Sequence, residues 1–195
     1  AGFSLIFGAI VVSLLLILPL WQGPRVFARM PWRQGAFWLS GWCWAVMFTA
    51  FMVALTMTGV ARVLVTMALG PLLTALLARV VTGHRLPART WVAIMLGGAG
   101  MAWMFAGQMG EATSSSAWMG SLVALGVPAA AAVNWTVVQR SQAHGESIDL
   151  VPAVLLGAVI SSAVTLPLAW PLTAGGRDLA WLAALGLAQL AIPCV

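Results

Sequence analysis

Seven apolar stretches, at approximately Gly2–Trp21, Phe37–Thr56, Val60–Val81, Trp91–Ala106, Trp118–Val138, Leu150–Trp170 and Leu179–Val195, occupy most of this 195-residue chain. A helix needs about 20 apolar residues, rising ~1.5 Å each, to cross the hydrocarbon core of a bilayer. Each stretch is about that long, and only short polar connectors separate them. Hydrophobic residues make up 62% of the chain and charged ones 7%, against roughly 25% charged in an ordinary soluble domain. So few charges cannot coat a water-facing core, and disorder would demand the opposite composition. The pattern therefore predicts an all-α polytopic membrane protein, a bundle of about seven transmembrane helices.

The connectors carry the residues that end helices: Gln22-Gly23-Pro24, Gly83-His84-Arg85-Leu86-Pro87, Thr113-Ser114-Ser115-Ser116, His144-Gly145-Glu146-Ser147 and Thr173-Ala174-Gly175-Gly176. None is long enough for a soluble domain, so any chemistry is built from the spans and their mouths. The net charge of +5 comes from nine arginines, no lysine and four acids. These are scattered between apolar runs and form no stripe that could follow a phosphate backbone, so nucleic acid is not expected as a partner. Cys43 and Cys194 fall inside apolar runs and suggest neither a disulfide framework nor a metal site.

Short cytoplasmic loops are enriched in arginine and lysine. Connectors after the first, third and fifth spans hold Arg25, Arg29, Arg33, Arg79, Arg85, Arg89 and Arg140, whereas the opposite side holds Arg62 and Arg177. Seven against two places the first set in the cytoplasm and Ala1 outside. A chain entering on the outer side within an apolar run, and stopping within another at Gln189 to Val195, reads as an internal fragment of a longer protein.

The first and sixth spans can be laid together, Gly8-Ala9-Ile10-Val11-Val12-Ser13 on Gly157-Ala158-Val159-Ile160-Ser161-Ser162 and Leu18-Pro19-Leu20 on Leu166-Pro167-Leu168. Phe37-Trp38-Leu39 and Ala180-Trp181-Leu182 follow in the same order. An offset of five spans inverts the second copy, which is the arrangement many secondary transporters use to build one site reachable from either side.

Further runs point to a family. Ala54-Leu55-Thr56-Met57-Thr58-Gly59-Val60-Ala61, then Leu69-Gly70-Pro71-Leu72-Leu73-Thr74-Ala75-Leu76-Leu77-Ala78, Gly83-His84-Arg85-Leu86 and Trp91 to Gly100 stand in the first part. Asn134-Trp135-Thr136-Val137-Val138-Gln139-Arg140 stands in the second. Together they resemble the EamA-type transporters of the drug/metabolite transporter superfamily. The resemblance implies a ten-helix fold of two inverted five-helix halves. Residues 1–106 would be the remainder of the first repeat (helices two to five), 107–117 the connector, and 118–195 the start of the second (helices six to eight). His84 departs from the family's usual Glu after Gly, and Arg62 stands where small or polar residues are common.

Candidate substrate-binding residues follow from chemistry. Arg62 keeps its charge and can hold a carboxylate or phosphate through its planar fork, or it can snorkel to the outer headgroups; Thr66 lies one turn inward. The second span lines up Trp38, Trp42, Ala45, Thr49, Met52 and Thr56 at helical spacing, of which Trp42 and Thr49 suit an amphipathic metabolite as well as helix packing. Asn134 and Gln189 are intramembrane amides that need a partner, and Trp135 can stack on a substrate or meet lipid. Pro71 and Pro128 each free a backbone carbonyl and are candidate hinges. Gly97, Gly98 and Gly100 read as sites of close helix packing. Glu111, Glu146, Asp149 and Asp178 all fall in connectors, so no acid cluster, metal or other cofactor is expected, and His84 and His144 lie too far from other ligands.

The expected function is alternating-access transport of a small organic metabolite (amino-acid-like, organic acid or amphipathic) across the bacterial inner membrane by a multi-pass carrier. Its partners are the lipid bilayer and the small-molecule substrate, with a homodimer left open. A non-transporting scaffold or channel subunit is the alternative. An intramembrane enzyme is disfavoured, because both histidines lie in connectors and no two acids share a span.

Overall fold

The computed structural model describes Gly8, Val11 and Leu15 and residues 30–83, 87–106, 115–145, 150–167 and 175–185. Seven helices are defined: α1 (Gly35–Met57), α2 (Val60–Met67), α3 (Gly70–Thr82), α4 (Ala88–Ala106), α5 (Ser115–Ala143), α6 (Leu150–Thr165) and α7 (Gly176–Leu185). There is no strand among the described residues. Three segments, Gly35–Met57, Val60–Val81 and Trp118–Ala143, are long and apolar enough to cross a membrane, and α6 is a shorter apolar helix. The chain is a helical membrane protein. Gly8, Val11 and Leu15 of the expected first span are helical. Gln189, Cys194, His84 and Arg85 lie outside the described residues, as do most of that span and the end of the seventh.

Packing divides the chain into two units, one formed by residues 1–45 with 146–195 and the other by residues 46–145, so that α1 contributes to both. In the first unit, α1 is pinned where it begins. The Trp32 N–H bonds the Met30 carbonyl at 2.8 Å and that of Gln34 the Pro31 carbonyl at 3.0 Å, closing a turn ahead of the helix. Trp32 meets the Phe37 ring edge-on at 5.8 Å, and the Trp38 indole N–H donates to the Trp32 carbonyl at 2.9 Å. Phe37 and Ser40 are fully buried.

Below this turn α1 and α6 come into backbone contact. A methyl group on Gly157 would collide with Trp44 Cβ and lie 2.9 Å from the Gly41 carbonyl oxygen and 3.0 Å from the Ala45 nitrogen. One on Gly41 would sit 2.6 Å from a Leu156 methyl. Small residues permit this approach, and dispersion across the contact replaces the hydrophobic drive that lipid removes. Gly41 and Gly157 are thus packing glycines. At Gly97, Gly98 and Gly100, expected to pack closely, no atom of the described residues lies within 4 Å of where their side chains would be, so those residues leave that face of α4 uncovered.

In the second unit, Ala54 of α1, Val63 of α2 and Ala124 of α5 are fully buried together, with Phe51, Leu55, Met67 and Val123 packed around them. Gly120 of α5 gives way to Met57 and Thr58, where a methyl would stand 2.9 Å from Met57 Cβ. Gly59, extended at φ −68° and ψ 149°, starts α2 straight after α1, and its carbonyl takes the N–H groups of Arg62 and Val63.

The stretch read as one span over Val60–Val81 is two helices. The break falls at Ala68 and Leu69, where the Leu69 N–H turns back to the Thr66 carbonyl at 3.1 Å in a tighter i to i−3 bond. Pro71 supplies the reason: it has no N–H for a carbonyl four residues back, but is well accommodated in the first turn of a new helix, where it stands in α3. Pro128 behaves otherwise. It is buried inside α5, which runs through it unbroken. Helix α5 also extends beyond the apolar stretch, from Ser115 to Ala143, through Gln139, Arg140 and Gln142.

Candidate functional site

An open cleft of about 980 Å³ lies within the second unit, walled by α3 and α5 with Ile94 of α4 at its side. Helix α3 lines it with Gly70, Pro71, Thr74, Ala75, Ala78 and Val81, and α5 with Ala131, Trp135, Gln139, Arg140, Ala143 and His144. Both sets are helical stripes: Gly70, Thr74 and Ala78, and Ala131, Trp135, Gln139 and Ala143, recur every four residues and so share a face. Short side chains on α3 leave the gap unfilled. Trp135, 42% exposed, supplies the large apolar surface facing it.

The two walls run parallel. A methyl on Gly70 would touch Pro128 at 3.8 Å near the start of α3, while Val81 at its end shares the cleft with Ala143 and His144. Each wall also ends alike, with an arginine in the last turn (Arg79, Arg140) followed by a left-handed glycine, Gly83 at φ 67° or Gly145 at φ 78°. Glycine takes that conformation without a Cβ clash, and a cation in the last turn complements the partial negative charge of the helix end. Arg79 and Arg140 therefore sit at equivalent ends of parallel helices, with α4 as the connection that returns the chain.

At the α5 end of the cleft, His144 closes onto its own helix. Its Nδ1 lies 2.7 Å from the Arg140 carbonyl, and its backbone N–H bonds the same oxygen at 3.2 Å. A carbonyl only accepts, so Nδ1 carries the proton and Nε2 is left for another partner. Beside it stand the Arg140 guanidinium and the Gln139 amide, both on exposed residues. The cleft is amphipathic along its length, aliphatic and aromatic over most of it, polar and cationic where the helices end.

Of the residues singled out from sequence, Pro71 and Trp135 line this cleft. Asn134, 1% exposed, is buried in α5. Arg62 and Thr66 lie on α2, and neither lines the cleft; the Thr66 hydroxyl donates to the Arg62 carbonyl at 2.8 Å. The same back-bonding uses the hydroxyls of Thr56 (Val53 carbonyl, 2.7 Å), Thr74 (Gly70, 2.9 Å), Thr136 (Ala132, 2.7 Å) and Thr165 (Ser161, 2.8 Å). Away from water, the nearest carbonyl of its own helix is the partner a threonine finds. Trp42, 54% exposed, shares the outward face of α1 with Trp38 and Leu39, and Thr49 is half-buried further along that helix. The proposed α1 stripe thus mixes exposed and buried positions, with Ala45 buried between Trp42 and Thr49.

Gln139, Arg140 and His144 also line the cleft, and the sequence marks them only as part of a motif run, a topology-setting arginine and a connector residue. The signal was the four-residue spacing from Ala131 through Trp135 to Gln139, continuing past the point where hydropathy falls. Compared with protein-family models, curated proteins and solved structures, the chain matches none.

Proposed function

We propose that this chain forms the transmembrane body of a secondary transporter of the EamA type, moving a small organic metabolite across the bacterial inner membrane by alternating access. On this reading it is multi-pass, with seven spans belonging to a ten-helix architecture of two inverted halves. One observation carries the proposal: two of the five runs on which the resemblance rests, Leu69 to Ala78 and Asn134 to Arg140, face each other across the cleft. Their likeness to a carrier family was noted from sequence alone, and a scaffold would have no need to hold them apart around an open volume. The break before Pro71 supports the same reading, since a helix already divided at Ala68 and Leu69 can bend there at little cost.

The parallel course of α3 and α5 fits a membrane topology in which the third and fifth spans both run inward, with Arg79 and Arg140 in the cytoplasm. The test is uptake by the intact protein in proteoliposomes, screened with amino acids, organic acids and amphipathic compounds. Saturable flux with at least one of them is expected. Flux linear in concentration would indicate a channel, and none above empty vesicles a scaffold; either overturns the proposal.

A further inference from the structure

We infer that the cleft between α3 and α5 is selective for amphipathic organic anions, taking a carboxylate at Arg140 and Gln139 and a flat apolar body against Trp135. This rests on the carrier reading for the purpose of the cleft, and goes beyond it in naming the class of molecule and the residues that sort it.

Side chains change character from one end of the cleft to the other. Over the first two turns of its α5 wall the cleft is lined only by Ala131 and Trp135, whose indole N–H is the one polar group on an otherwise apolar surface. Opposite them stand Pro71, Ala75 and Ala78, while the one hydroxyl nearby, that of Thr74, is spent on the Gly70 carbonyl. A ligand lying here gains by burying apolar surface and gains further if flat, because the indole and proline rings offer faces on which a planar group stacks. A strongly hydrated body would lose its water without replacement.

One turn on, the chemistry reverses. Gln139 offers amide donors and Arg140 a guanidinium, whose planar fork matches a carboxylate in two parallel hydrogen bonds. The Nδ1–H of His144 is committed to the Arg140 carbonyl, an arrangement that ties the imidazole to the helix end beside the guanidinium. The ends of α3 and α5 act against an anion, but each carries only about half an elementary charge, whereas Arg140 and Arg79 each carry a whole one in the last turn of those helices. Among the described residues no acid lines the cleft, and their balance at its polar end is positive.

An anionic head on an apolar body describes a soluble aromatic acid, and also an anionic lipid entering from the bilayer. The experiment separates them. Equilibrium binding of 2-naphthoate and of its neutral isostere 2-naphthamide is measured on the intact protein in nanodiscs of zwitterionic lipid, and again with a third of the lipid anionic. Saturable naphthoate binding is expected, with the amide weaker by at least about tenfold, the loss of one charge-assisted pair. Arg140→Gln should weaken naphthoate to the level of the amide, Arg140→Lys should retain part of the affinity because a point charge cannot form the fork, and Arg177→Gln should leave it unchanged. Naphthoate binding that survives anionic lipid assigns the cleft to a soluble acid; its displacement in wild type assigns it to lipid. Equal affinity for acid and amide overturns the inference, as does wild-type affinity in Arg140→Gln. If Arg140→Gln fails to insert, the acid-to-amide ratio in wild type still decides. Flux is read separately in proteoliposomes. Naphthoate bound, with no saturable flux of it or of any screened compound, leaves the site and removes the carrier reading, whereas saturable flux of another substrate untouched by excess naphthoate removes the site.

Discussion

The α1–α6 pair and the α3–α5 pair are both built on small residues, and they use them in opposite ways. In the first, Gly41 and Gly157 occupy facing positions, so backbone meets backbone and Trp44 fills what remains. In the second, the helices touch where Gly70 meets Pro128, and beyond that point Ala75, Ala78 and Ala131 line the volume without filling it. A small residue brings two helices together only where the partner also offers a small residue or bare backbone. Where one side is small and the other carries an indole or a guanidinium, the same composition leaves a space.

The largest expected effect lies in the closed pair. Gly157→Ala puts a methyl into Trp44 Cβ and against the Gly41 carbonyl and Ala45 nitrogen, none of which can swing aside as a flexible side-chain end can. Such overpacking costs about 1–3 kcal/mol. It should appear as a lower unfolding midpoint in detergent by circular dichroism, and an unchanged midpoint would break the comparison. Gly120→Ala is expected to cost less, near the lower end of ~1–3 kcal/mol, because its closest neighbours, Met57 Cβ, Thr58 Cβ and the Met57 carbonyl carbon, stand further off than Trp44 Cβ does from Gly157, at 2.9, 3.0 and 3.1 Å. The smallest effect has the opposite sign. Gly97→Ala meets nothing within 4 Å and should raise stability by about 0.5–1 kcal/mol, through the greater backbone entropy that glycine loses on forming a helix. A destabilised Gly97→Ala would show that the α4 face is covered in the membrane, by a second copy or another element.

These glycines also show how far the sequence could be read. Apolar length identified helices because twenty apolar residues in series have few other fates, and the sixth span and the start of the second were legible on that ground. Close packing was not legible. Gly97-Gly98-Ala99-Gly100 is the densest glycine cluster, whereas Gly41 and Gly157 are isolated, and their importance comes from facing each other across 116 positions of chain. Proline was half legible: Pro71 and Pro128 lose the same hydrogen bond, yet only the former coincides with a helix break. The difference is that Pro128 lies buried in a long helix held at Ala124, Val127 and Ala132, while Pro71 follows Leu69 and Gly70 at an exposed turn.

The site was legible in part for a related reason. Trp135 and Pro71 stand out by chemistry within apolar text. Arg140 belongs to a helix that outlasts its hydrophobic stretch and His144 to the turn that ends it, and hydropathy marks where a membrane ends rather than where a helix does. Arg62 looked the stronger cation because it interrupts an apolar run. It stands in the first turn of α2, where the helix end is already positive, and the cleft lies elsewhere.

The most direct test of the cleft as the transport path uses Ala78, which lines it from the small-residue wall. Ala78→Cys is made in a Cys43→Ala, Cys194→Ala background of the intact protein, modified with a small methanethiosulfonate reagent in proteoliposomes, and assayed for initial flux with and without substrate during modification. The account predicts that the adduct, projecting into a space that α3 leaves empty, lowers flux by at least about tenfold, equivalent to ~1.4 kcal/mol of transition-state stabilisation. It also predicts that substrate present during labelling slows the modification. Full flux after complete modification would contradict it.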